Sequence, residues 1–125
     1  MQISSFKELR VYQLAFRLQQ EIFELTKTFP NEEKYSLINQ IRRSSRSVGA
    51  NIAEAWQKRR YIPHFISKLT DSDSEQSETQ HWLNTSLACN YITEEKYNKL
   101  IDGYESVGKM LGKMIAEHEK WSIND

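Results

Sequence analysis

The sequence predicts an all-α protein, an antiparallel up-down-up-down four-helix bundle that forms one domain over residues 1–125. Three observations carry this. Apolar residues recur in alternating steps of three and four along several long segments, the spacing that gathers them on one helix face. Only four Gly and two Pro occur in 125 residues, too few turn formers for an all-β chain. The periodic segments are divided by proline and short polar stretches, as in a bundle with short connections. The helices are expected at about residues 5–29, 32–60, 63–90 and 94–118.

Helix one is expected to begin near Ser5, because Ser5 and Glu8 have capping-box spacing. Its seam runs Val11, Ala15, Leu18, Ile22, Leu25, Phe29, in steps of 4, 3, 4, 3, 4. Leu9, Tyr12, Phe16 and Phe23 lie to one side and widen the stripe beyond what one core contact needs, leaving surface for a second subunit. Pro30 ends the helix, since proline disfavours the helical region at Phe29 and has no amide hydrogen to donate.

Helix two is expected to start between Asn31 and Ser36, with Leu37, Ile41, Val48, Ile52 and Ala55 facing the core. Ser45, Gly49 and Ala53 form a stripe of small side chains through which a neighbouring helix can come close. Tyr61, Ile62 and Pro63 mark the turn into helix three, with Pro63 in the first turn, where its missing amide hydrogen costs nothing.

Helix three contains twelve consecutive residues, 70–81 (TDSDSEQSETQH), without an apolar side chain. Ser72, Asp73, Gln76 and Thr79 are expected on its core side, where buried polar groups need partners. If helices two and three fold back about Tyr61, residue i faces roughly residue 122 minus i. That register puts Arg46 near Gln76 and Glu75, Arg43 near Thr79, and Ser44 near Glu78. In helix four, Thr93 is the expected cap, Ile92 and Tyr97 have staple spacing, and Leu100, Tyr104, Val107, Leu111 and Met114 form the seam. Gly108 and Gly112 are expected to repeat the close-packing device of helix two.

The formal net charge is +0 and the isoelectric point about 6.8, which excludes a general electrostatic attraction to nucleic acid or anionic lipid. A partner must be met by a local patch. Residues 41–61, IRRSSRSVGANIAEAWQKRRY, hold six of the seventeen basic residues. Two readings stand for Arg42, Arg43 and Arg46. In one they pair with Asp73, Glu75 and Glu78 of helix three and set the register. In the other they point outward to phosphates or an acidic protein. Lys58, Arg59 and Arg60 are read as a charged end complementing the dipole of helix two, or as binding groups beside Trp56 and Tyr61. Those two aromatics could stack on bases, or close the core against Phe65 and Ile66. Asn51 and Glu54, one turn apart, are expected to make a helix-to-helix hydrogen-bond pair, and Cys89 reads as a structural thiol in an apolar neighbourhood.

No catalytic residue, metal or cofactor is expected. Glu78 and His81 have the E-x-x-H spacing of carboxylate-bridged metal bundles, but that chemistry requires a second such pair, which the sequence lacks. His64 and His118 stand apart from any nucleophile-base grouping. With no bilayer-length apolar run and no signal-like start, the expected location is the cytoplasm.

The segments FKELRVYQLA, FP, QIRRSSRSVGANIAEAW, SETQHWL and GYESVGKMLGKMI resemble the four helix bundle protein family. That family is also called the 23S rRNA-intervening sequence protein family, after the insertions in bacterial large-subunit ribosomal RNA genes where some members are encoded. The resemblance spans about residues 6–115 and is most specific at RRSSRSVGANIAEAW, where Arg42, Arg43, Asn51, Ile52, Ala53 and Glu54 match the family pattern. It implies a ring-like homopentamer. Related accessory proteins of diversity-generating retroelements are basic pentameric barrels that bind nucleic acid and a reverse transcriptase, so the implied partners are RNA, single-stranded DNA or a reverse-transcriptase-type protein. The leading expectation is a noncatalytic oligomeric binding or scaffold module in contact with RNA or a nucleoprotein. The alternative is a purely structural or protein-interaction homopentamer.

Overall fold

In the computed structural model, which describes residues 2–123, the chain folds as an antiparallel four-helix bundle. Its helices are α1 (Arg10–Thr26), α2 (Leu37–Gln57), α3 (Ile62–Ala88) and α4 (Glu94–Ala116). Each packs on its neighbour in sequence and α1 closes on α4, with α2 against α3 the most extensive contact. The ends of the expected domain, Met1 and Asn124 with Asp125, lie outside the described residues.

The helix ends differ from the sequence expectation for local reasons. Ser5 does accept the Lys7 amide at 3.2 Å, but it caps only a one-turn 3-10 segment, Phe6–Glu8. Extended backbone at Leu9 (φ −67°, ψ 129°) then interrupts the chain, and α1 starts at Arg10. The Glu8 carboxylate accepts from the Ser4 hydroxyl at 2.8 Å rather than reaching back to Ser5. A second 3-10 turn, Asn31–Glu33, delays α2 to Leu37. Helix α2 stops at Gln57, which leaves Lys58, Arg59 and Arg60 beyond its last turn.

Helix α3 ends in a Schellman motif. The Tyr91 amide donates to Ser86 O (2.9 Å), the Asn90 amide donates to Leu87 O (3.0 Å), and Asn90 has φ 61°. Cys89 therefore sits at the C-cap and is exposed, which corrects the reading of it as a structural thiol in an apolar setting. Thr93 caps α4 as expected, accepting the Lys96 amide at 3.2 Å.

The core is built from the predicted seams. Val11, Ala15, Leu18, Ile22, Ile41, Val48, Ile52, Tyr104, Val107 and Leu111 are all buried. Thr26 takes the deep position expected of Leu25, which is half-buried. A straight helix drifts by about 20° per heptad against a 3.5-residue repeat, so the buried face moves on by one residue near the end of α1. The Thr26 hydroxyl donates to Ile22 O at 2.9 Å, which satisfies it in the core.

In the polar middle of α3, Ser72, Gln76 and Thr79 are buried and bonded. The Ser72 hydroxyl donates to Val48 O at 2.8 Å, and Thr79 Oγ1 lies 2.9 Å from Ser44 Oγ. Gln76 Nε2 donates to Asp73 Oδ1 at 2.9 Å. The Ser72 and Thr79 contacts tie α3 to α2 at fixed heights, because a slipped register would strand the buried hydroxyls. Gly108 allows close approach, as expected: a Cβ there would lie 3.0 Å from Gln76 Nε2. Gly112 has nothing within 4 Å of its would-be Cβ, so it packs against no helix, contrary to expectation.

Candidate charged interface on helix two

Successive residues of an α-helix turn by about 100°, so Arg42 and Arg46 share one face of α2 while Arg43 lies on the next. That geometry splits the arginine group. Arg43 faces α3: its Nη1 and Nη2 each lie 3.3 Å from a Glu75 carboxylate oxygen, and Nη2 lies 2.5 Å from Glu78 Oε2. Glu78 also accepts from Trp82 Nε1 at 3.0 Å. Trp82 first, and then Arg43, hold the Glu78 carboxyl below its ordinary pKa, while Glu78 and Glu75 raise that of Arg43. Arg43 is thus neutralised within the chain.

Arg42 and Arg46 face α1. Arg42 Nε donates to Thr26 Oγ1 at 2.8 Å, its Nη2 donates to Phe23 O at 3.4 Å, and its guanidinium carbon lies 4.7 Å from the Phe23 ring centre. The guanidinium carbon of Arg46 is 5.6 Å from the same centre, and Lys27 Nζ is 4.6 Å from it. Three cations therefore surround one aromatic ring. Lys27 pairs with Glu24 at 3.2 Å, whereas neither Arg42 nor Arg46 has a carboxylate at ion-pair distance among the described residues.

The predicted register of α2 against α3 holds to within a few residues, but its partners are reassigned. Arg46 does not meet Glu75 or Gln76, and Asp73 accepts from Gln76 rather than from an arginine. Ser44 meets Thr79 rather than Glu78. The Asn51–Glu54 pair does not form: Asn51 Nδ2 donates to Ser47 O within α2 at 2.9 Å, and Glu54 reaches across to Lys68 of α3 at 3.2 Å. Asn51 points along its own helix, so only Glu54 is turned toward α3.

At the end of α2, Arg59 stacks over Trp56 at 3.5 Å and donates from Nε to Trp56 O at 2.7 Å, and partial burial lowers its pKa. Trp56 is buried and meets Trp121 edge-on at 6.3 Å, closing the end of the core. Tyr61 is 56% exposed and contacts His64 instead. Lys58 and Arg60 are exposed and not gathered with Arg42 and Arg46. Phe23, Thr26 and Lys27 join the site although no sequence motif marks them as site residues. The signal was there: folding helix one back on helix two places residue i near roughly 68 minus i, which brings Phe23 and Thr26 to Arg46 and Arg42.

Among the described residues no group of three or more His, Cys, Asp or Glu side chains could hold a metal ion, and no helix is long and apolar enough to cross a membrane. Glu78 is engaged by Arg43 and Trp82, and His81 lies against the Trp82 ring at 4.7 Å.

The fold places the chain in the class of small all-α proteins built as antiparallel four-helix bundles, with the cations of α2 divided here between α3 and α1. Within that class the chain belongs to the 23S rRNA-intervening sequence protein family, whose model matches residues 7–113. Among solved structures it is similar to a protein of unknown function from the S23 ribosomal protein family of Bacteroides thetaiotaomicron. The two share 33% identity and a TM-score of 0.77, over 85% of this chain and 95% of the other. No curated protein matches the chain.

Proposed function

We propose that this protein is a noncatalytic binding module of the cytoplasm that engages RNA through the cationic face shared by α1 and α2. The observation that carries the reading is the convergence of Arg42, Arg46 and Lys27 on the Phe23 ring, with Glu24 the one carboxylate paired to them among the described residues. A guanidinium stacked on an aromatic and held along one edge keeps its remaining N–H groups in place for a phosphate. The name of the S23 ribosomal protein family, to which a similar protein of unknown function belongs, motivates RNA as the partner to test. Titration of labelled RNA and single-stranded DNA at two salt concentrations tests this. Binding should weaken with salt, and Arg46→Ala should lower the slope by about 1, whereas Arg43→Ala should leave it unchanged. Binding that ignores salt, or equal loss in the two variants, would overturn the reading.

A second reading, self-assembly into the homopentamer that the family resemblance implies, is favoured by Phe16, which is 46% exposed and stacks on Tyr12 along α1. Sedimentation of the wild type and of Phe16→Glu tests it. The wild type should sediment as an oligomer and the variant as a smaller species. A monomeric wild type would remove this reading while leaving the RNA titration to stand by itself.

A further inference from the structure

At the end of the bundle where α1 begins and α4 finishes, a cavity of about 500 Å³ opens between the two helices. Ile3, Leu9, Val11, Met110, Met114 and Trp121 give it an apolar body, and the size falls within the range of small-molecule sites, about 300–1,000 Å³. Its charged lining consists of three cations, Arg10, Lys113 and Lys120, and two carboxylates, Glu8 and Glu117.

Both carboxylates are already engaged. Glu8 accepts from the Ser4 hydroxyl and amide, and Glu117 pairs with Lys120 at 3.0 Å, which with Lys113 nearby holds its carboxyl below the ordinary range. Arg10 and Lys113 have no ion pair among the described residues. The lining also holds a buried donor, Trp121 Nε1, with no hydrogen-bond partner. The N-cap of α1, Leu9, offers no side-chain oxygen, and the first turn carries a cation where the helix dipole favours an anion.

We infer that this end cavity binds a small amphipathic carboxylic acid, its alkyl chain laid against Met110, Met114 and Val11 and its carboxylate between Arg10 and Lys113. An apolar body alone would take any hydrophobe. The lining's excess of one positive charge, three cations against two carboxylates, selects the acid over the uncharged analogue, because a charge-assisted hydrogen bond is worth about twice a neutral one. The site is separate from the Phe23 face, so neither proposal depends on the other.

The test uses the full chain, with decanoate and decanol as probes in isothermal titration calorimetry. Decanoate should bind about tenfold more tightly than decanol, and the double variant Arg10→Ala/Lys113→Ala should erase that preference with little effect on decanol. Met110→Trp, which adds bulk at the half-exposed wall, should weaken both probes. Absence of heat with decanoate at about 1 mM would overturn the inference, as would a preference that survives loss of both cations, or unchanged binding in Met110→Trp.

Discussion

The Tyr91 hydroxyl donates a 2.8 Å hydrogen bond to Glu33 Oε2, joining the connection between α1 and α2 to the connection between α3 and α4. Phe29 packs on the Tyr91 ring with centres 5.3 Å apart, so the same tyrosine also closes this end of the core. The Ser36 hydroxyl, and then Tyr91, hold the Glu33 carboxyl below its ordinary value of 4.5, and the bond pushes the Tyr91 hydroxyl up from 10.0 to about 12.

The sign of the pH effect follows. A depressed carboxyl stabilises the fold above its unfolded value of 4.5, and the contribution is lost as pH falls through the lower folded value. The raised tyrosine contributes below 10.0, and its share is lost as pH rises through about 12. Tyr91→Phe should therefore melt lower than wild type at neutral pH, with the gap narrowing at about pH 3. A gap of constant size across that range in thermal unfolding would contradict the assignment.

Arg43→Ala should destabilise the protein more than Arg46→Ala does. Arg43 bridges Glu75 and Glu78, but its side chain is 47% exposed, so solvent screens the pairs and the expected loss is about 1 kcal/mol. Arg46 loses only a stacking contact at 5.6 Å from Phe23, worth about 0.5 kcal/mol at an exposed site. Chemical denaturation of the two variants decides between them, and a reversed order would mean that Arg46 carries the acidic pairing.

Two glycines of α4 should respond oppositely to alanine. Gly112 faces open space, so Gly112→Ala should stabilise by about 0.5–1 kcal/mol through helix propensity alone. At Gly103 a Cβ would lie 2.6 Å from Leu18 Cδ2 and 3.0 Å from Cδ1, and Leu18 is buried. Gly103→Ala should therefore cost about 1–3 kcal/mol net, the scale of overpacking a core. Matching shifts in melting temperature for the two variants would show that Leu18 yields freely.

Asn90 holds the left-handed turn that ends α3, with φ 61°. Asn90→Gly should be neutral or slightly stabilising, and Asn90→Val should cost about 1–2 kcal/mol, because a β-branched side chain crowds the carbonyl in that region. Equal unfolding midpoints for the two variants would mean that the turn relaxes to another conformation.

Much of this molecule is legible along the chain. The spacing of Val11, Ala15, Leu18 and Ile22, and of Leu100, Tyr104, Val107 and Leu111, names the core because helical geometry turns residue number directly into direction. Thr93 and Pro63 mark helix starts through local chemistry that needs no distant partner. The burial of Ser72, Gln76 and Thr79 was also readable, since an apolar seam on either side leaves those positions nowhere else to point. Gly103 left no signal, because its importance lies wholly in where Leu18 of another helix falls.

The sequence by itself determined which residues share a face of each helix, and hence the four-helix bundle and its seams. The tertiary structure alone decided which neighbour each polar face would meet. Arg43 and Arg46 are three residues apart and chemically identical, yet one is given to the carboxylates of α3 and the other to the aromatic ring of α1. Periodicity fixes the angle of a side chain about its own axis. What waits at that angle depends on the positions of the other helices, which are set by the packing of the whole core.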